Sequence, residues 1–250
     1  MIKFVLTLAL TFPLAHGQGP DVAKLSEDLQ KETQFLNPEY LVFSPAEKIE
    51  KPIPLIISLH GAGGIARDIR RVQGQVFKLM RGVEKFKKGP CYIVAPQSIK
   101  LTKEGGGWAP SDLNILLKHL KATLKIDEKR IYLTGNSMGG YGSWAWGGHN
   151  PEHFAAIAPI SGGTGPGGPK DVTPDLEKWA ANLTKVPVYA FVGAEDRIVP
   201  AKRSETMITA IKKAGGKEAK LRIFPEEGHG AGRLVLSSAE FFDWMFSQKR

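Results

Sequence analysis

Seven short apolar runs recur along this chain, and their alternation with longer segments of helical periodicity constrains the fold more than any other feature. The runs are Tyr40–Phe43, Leu55–Leu59, Tyr92–Ala95, Ile131–Thr134, Ala155–Ile160, Val188–Val192 and Leu221–Phe224. Most are continuous stretches of apolar residues, the pattern of strands buried on both faces of a parallel sheet. Between the third and fourth, Leu113, Leu116, Leu117, Leu120 and Leu124 fall on one helical face, and Ser111 stands where an N-cap would. Met207, Ile208, Ile211 and Ala214 repeat the pattern, and Gly215-Gly216 closes it as a C-cap. Gly162–Gly168 and Asp171-Val172-Thr173-Pro174 read as a connecting loop, too short to divide the chain. The expectation is an α/β fold over residues 18–250: one domain with a mostly parallel central sheet and helices on both faces.

The first 17 residues are set apart. Met1-Ile2-Lys3 gives a short positive start, Phe4 to Ala15 is almost wholly apolar, and Ala15-His16-Gly17 places small residues two apart. That is the grammar of a secretion signal at 1–17, and it predicts a secreted or periplasmic protein. The apolar run is shorter than the roughly 20 residues a bilayer span needs, and Pro13 interrupts it, so no membrane span is expected. A single cysteine, Cys91, excludes a disulfide framework, a cysteine-ligated zinc site and an iron–sulfur cluster, and its apolar neighbours predict a buried, unreactive thiol. The net charge of +9 permits attraction to polyanions, but no recognition motif or basic run interleaved with aromatics accompanies it, so nucleic acid is not expected as a partner.

The chemistry begins at Gly135-Asn136-Ser137-Met138-Gly139, directly after the run Ile131–Thr134 and before the small-residue stretch Gly139-Gly140-Tyr141-Gly142-Ser143. A serine on a very sharp strand-to-helix turn is held exposed, and glycines two before and two after it keep neighbouring backbones from colliding. Chance yields roughly 0.15 such pentapeptides in a chain of this composition, so the flanking context carries the assignment. A nucleophilic serine needs a base, and the base needs an orienting carboxylate. Asp196 follows the run Val188–Val192, and His229 follows Leu221–Phe224, both at strand ends where an open α/β sheet gathers its site. His60 and His119 are poorer bases by position, and Asn150-Pro151 between His149 and His153 breaks the helix that a metal pair would need.

A tetrahedral oxyanion also needs backbone N–H donors. Met138, directly after the serine, would supply one. Ala62, in His60-Gly61-Ala62-Gly63-Gly64 after the run Leu55–Leu59, would supply the other. A phosphate loop fits those glycines less well, because the Gly-x-Gly-x-x-Gly spacing and the following lysine are absent. Trp108, presented by Gly105-Gly106-Gly107, and Gln97 are candidates for the substrate pocket, with a plug on the core as the competing role for the tryptophan.

With these residues in view, the chain resembles the α/β-hydrolase superfamily, in its phospholipase/carboxylesterase and dienelactone-hydrolase-like branch. It is similar there to secreted esterases described as predicted peptidases, and more distantly to feruloyl esterases and polyhydroxybutyrate depolymerases. The segments that carry the resemblance include His60–Gly64, Val94-Ala95-Pro96-Gln97, Gly107-Trp108, Arg130–Gly140, Ala156-Ile157-Ala158-Pro159, Gly193-Ala194-Glu195-Asp196 and Gly228-His229. The resemblance implies a serine esterase working through an acyl-enzyme, with Ser137 as nucleophile, Asp196 as acid, His229 as base, and Ala62 and Met138 as oxyanion donors. It implies no cofactor and no metal, and a small-molecule or carbohydrate-linked ester as substrate. A serine peptidase could run the same residues, and a non-catalytic binding protein would have no need of them together. The chain departs from the pattern at Val192, where many relatives carry histidine, and at Gly230, where a bulky residue is frequent, which predicts an open pocket wall.

Overall fold

The continuous apolar runs become strands because a sheet covered on both sides must send alternate residues to two different cores. In the computed structural model, which describes residues 19–46, 48–101, 107–164 and 176–250, every residue of the strand Ile53–Leu59 is buried. Leu55, Ile57 and Leu59 pack into one core with Val94, Ile131, Leu133, Ile157, Val188 and Ala190. The intervening Ile56 joins Ile93, Tyr132, Ala156, Ala158 and Phe191 in the other core. The signal expected at 1–17, and residues 102–106 and 165–175, lie outside the described residues.

In chain order the elements are β1 (Asp21–Lys24), α1 (Glu27–Glu32), β2 (Leu36–Phe43), β3 (Ile53–Leu59), α2 (Gln73–Lys85), β4 (Tyr92–Ser98), α3 (Pro110–Thr123), β5 (Ile126–Asn136), α4 (Met138–His149), β6 (Ala156–Ile160), α5 (Leu176–Leu183), β7 (Val188–Gly193), α6 (Lys202–Lys213), β8 (Ala219–Phe224), α7 (Gly232–Val235) and α8 (Ala239–Ser247). The described strands form one eight-stranded sheet in the order β1-β2-β4-β3-β5-β6-β7-β8. β1 and β2 are antiparallel to their neighbours, and all pairings from β4 through β8 are parallel. α3 to α6 cover the first core, and α2 and α8 cover the second. This is an α/β-hydrolase architecture. Its parallel strands bring Leu59, Asn136, Ile160, Gly193 and Phe224 to a common carboxyl edge, where the site is built.

Several boundaries differ from the sequence expectation, each for a local reason. β1 carries mostly exposed residues at the sheet edge and so leaves no apolar signature. β2 reaches back through Pro38 to Leu36 with an irregular register between Leu36 and Tyr40, where proline has no N–H for the ladder. The N-cap of α3 is Ala109 rather than Ser111, because Pro110, its φ preset for helix, takes the first position and moves Ser111 inside the first turn. α6 ends as its glycines predict. Gly215 adopts φ 97°, its N–H donates to Lys212 O at 3.0 Å, and the N–H of Gly216 donates to Ile211 O at 2.9 Å.

Candidate active site

β5 passes into α4 with only Ser137 between them, and that economy forces the serine into a left-handed conformation at φ 58°, ψ −118°. Such strain persists where the surroundings over-determine it. Here the N–H of Ser137 donates to Ile160 O at 2.9 Å, and Tyr141 N–H donates to Ser137 O at 3.0 Å. The flanking glycines have a steric cause. A Cβ at Gly135 would stand 2.3 Å from Gly139 O, and one at Gly139 would stand 1.9 Å from Leu59 O. A side chain at Gly135 would push the start of α4 off β5, and one at Gly139 would push it away from β3.

Loops leaving β7 and β8 bring two more side chains to this serine. His229 Nε2 lies 2.9 Å from Ser137 Oγ, and His229 Nδ1 lies 2.8 Å from Asp196 Oδ2. Asp196 Oδ1 accepts the N–H groups of Ile198 at 2.9 Å and Val199 at 2.8 Å, so this buried carboxylate is satisfied on both oxygens. An acceptor facing Nδ1 favours the tautomer with its proton on that nitrogen, which leaves Nε2 free to accept from the hydroxyl. Glu195, the adjacent carboxylate, is exposed. The three sequence-predicted residues are thus brought together, although 92 positions separate serine from histidine.

Beside the serine runs the loop after β3, close enough that a Cβ at Gly61 would lie 3.4 Å from Ser137 Cβ. Ala62 begins a 3-10 turn and Met138 begins α4. Residues opening a helical turn have N–H groups with no intrahelical acceptor, and Ala62 and Met138 both stand at such positions.

The two residues expected to line a substrate pocket are buried supports of that loop instead. Gln97 is fully buried, donates from Nε2 to Gly64 O at 2.9 Å and Asp68 O at 2.8 Å, and accepts from Asn37 Nδ2 at 2.7 Å. Trp108 is 1% exposed. Its Nε1–H donates to His60 O at 3.2 Å, and its ring sits 4.7 Å from the His60 ring. An amide or indole beneath a loop of bare backbone satisfies carbonyls that burial would otherwise orphan. Val192 is likewise fully buried in β7, so it forms no open wall, whereas Gly230 is exposed with open space where a Cβ would be.

Sequence reasoning weighed His60 only as a base and missed its structural part. Its Nδ1–H donates to Gly61 O at 2.6 Å, while Nε2 accepts the N–H of Ser98 at 2.9 Å. Burial lowers its pKa from 6.5 to about 4, which keeps it neutral and locked in this tautomer. Asn37 was missed altogether, since nothing local marks it. The other described histidines outside the site make structural contacts: His119 bonds Tyr40, His149 lies edge-on to Trp179, and His153 lies edge-on to Phe154. Burial pushes the Cys91 thiol up to about 12. Among the described residues, no group of three or more His, Cys, Asp and Glu side chains could hold a metal ion, and no helix is long and apolar enough to cross a membrane.

Residues 99–232 match the dienelactone hydrolase family. The chain is similar to a protein of Methylorubrum extorquens that bears the name carboxymethylenebutenolidase, at 32% identity over 125 residues, covering 48% of this chain and 40% of that protein. It is similar to a protein named feruloyl esterase C from Aspergillus flavus, at 27% identity over 175 residues, covering 65% of this chain and 62% of that one. The chain therefore spans less than two thirds of the length of either relative. Among solved structures it is similar to a thermostable esterase, with a TM-score of 0.72 and 26% identity, over 85% of this chain and 59% of that one.

Proposed function

Because this chain belongs to the dienelactone hydrolase family of α/β-hydrolases, we propose that it is a serine esterase that cleaves carboxylic esters through an acyl-enzyme. The observation that carries the reading is the unbroken hydrogen-bonded series from Ser137 Oγ through His229 to Asp196, at 2.9 and 2.8 Å. In this reading His229 Nε2 takes the hydroxyl proton as Ser137 attacks the ester carbonyl, and Asp196 stabilises the imidazolium that forms. The N–H groups of Ala62 and Met138 receive the charge on the carbonyl oxygen, a contribution of about 100- to 1,000-fold per donor in such sites. His229 then returns the proton to the leaving alcohol, and water repeats the sequence on the acyl-enzyme. No step calls for a metal or a cofactor.

The esterase names of two relatives support an ester over an amide. An amide leaves only after its nitrogen is protonated, and that barrier demands extended binding of the chain on the leaving side. We assign the substrate to small aryl or carbohydrate-linked esters. The test is turnover of a panel running from short aryl esters through feruloyl and acetyl-sugar esters to matched peptides, with parent and Ser137→Ala. Hydrolysis of esters by the parent alone, with fluorophosphonate labelling lost in the variant, is the expected result. Equal labelling of the variant would refute the nucleophile, and comparable kcat/KM for matched ester and peptide would make the protein a peptidase.

A further inference from the structure

We propose that α2 carries a docking stripe for a linear carboxylated polysaccharide, running from beside the oxyanion loop down the flank of the fold. Between Asp68 and Lys88 the chain holds seven lysines and arginines against two acidic residues, more than half of the excess that gives the whole chain +9. Gly74, Lys78, Arg81 and Lys85 recur in α2 at intervals of four, three and four, the spacing of a single helical face, Arg71 leads into the row from the 3-10 turn before it, and all five are exposed. The opposite face is fixed by Val76, Leu79, Met80 and Val83 in the core, so the cations cannot turn inward. They extend about 20 Å, at 1.5 Å per residue. The stripe starts immediately after the loop that holds Ala62, through the 3-10 turn Ile69–Val72.

The cations are not spent on the protein's own acids. Arg71, Lys78, Arg81 and Lys85 make no ion pair among the described residues, whereas Lys88, beyond the end of α2, is paired with Asp243. Like charges one turn apart repel by a few tenths of a kcal/mol per pair, and the internal partners beside the row are the Phe86 ring under Lys85 and the flanking Glu84. Gly74 leaves the row flat, with nothing within 4 Å of where a Cβ would be. The chemistry of the face selects among polyanions. Exposed large hydrophobic residues lie elsewhere, at Val22, Leu101, Ile198 and Ile223, so the stripe has no apolar wedge for a bilayer. It has no exposed ring on which the bases of a single strand could stack, because Phe77 and Phe86 are half-buried, and duplex DNA, which needs no such ring, is left to the test below. Arginine forks and lysines on a flat polar face suit carboxylates repeated along a hydrophilic chain.

Binding is read without turnover, so this inference stands or falls apart from the ester reading. The probe is polygalacturonate, titrated against the full chain at low and moderate salt, with neutral dextran, duplex DNA and anionic phospholipid vesicles alongside. The parent should bind polygalacturonate and not dextran, with affinity falling at least tenfold as salt rises. Arg71→Gln/Lys78→Gln/Arg81→Gln should weaken binding at least tenfold while hydrolysing a short aryl ester as the parent does. A variant with the same charge loss elsewhere, Lys212→Gln/Lys213→Gln/Lys217→Gln, should bind as the parent does. Absence of binding, equal weakening in both triple variants, or equally tight binding of DNA or vesicles would overturn the proposal.

Discussion

Acidification from pH 7.5 to 4 should cost this fold about 3 kcal/mol through one imidazole, that of His60. The ring is 3% exposed, and both nitrogens are engaged, one as donor to Gly61 O and one as acceptor from Ser98 N–H. Protonation would convert the acceptor into a donor facing another donor, inside a site that solvates charge poorly. Burial therefore lowers the pKa from 6.5 to about 4, so the unfolded chain binds more protons than the folded one across that interval. Stability from this group is complete above the unfolded value and is lost as pH falls from 6.5 toward the folded value of about 4. Activity is a poor readout, because the proposed mechanism also calls for a neutral His229. Urea unfolding of the parent and His60→Gln at several pH values isolates the effect, since other titrations cancel in the difference. The glutamine costs stability at pH 7.5, and that deficit should shrink by about 3 kcal/mol at pH 4. Parallel pH dependences, or a His60 ring that titrates near 6.5 by NMR, would refute the reasoning.

Asp196→Asn should lower turnover by about 10⁴-fold, because the amide favours the wrong imidazole tautomer. Glu195→Gln should leave turnover nearly unchanged, and kcat measured on both variants would reassign the acid if the ranking reversed. Gly139→Ala places a methyl 1.9 Å from Leu59 O and should either prevent soluble expression or lower the melting temperature sharply while abolishing fluorophosphonate labelling. Parent-like stability and labelling would contradict the steric account of the elbow. Trp108→Ala empties a buried ring site and should destabilise the protein by about 3–5 kcal/mol in urea unfolding. If it instead leaves stability intact and raises only KM, Trp108 contacts substrate after all.

What the sequence determined was whatever depends on neighbours along the chain or on the period of a buried element. The spacing Gly135, Ser137, Gly139 is legible as a pattern around one sharp turn, although only the collision avoided at Gly135, against Gly139, is local, and the one avoided at Gly139 is with Leu59 of β3. The positions of Asp196 and His229 are legible because apolar runs mark where β7 and β8 end, and parallel strands that end together must gather the residues that follow them. Tertiary structure alone decided which way a side chain near the site would face. Gln97 and Trp108 stand in stretches that could have opened onto a pocket, and nothing local says otherwise. They turn inward because the backbone of the loop after β3 needs hydrogen-bond partners, and Gln97 meets Asn37 from 60 positions away to provide them. Burial and long-range satisfaction of polar groups are properties of the packed whole, so a residue's type and spacing can place it near a site without fixing whether it meets the substrate or supports the groups that do.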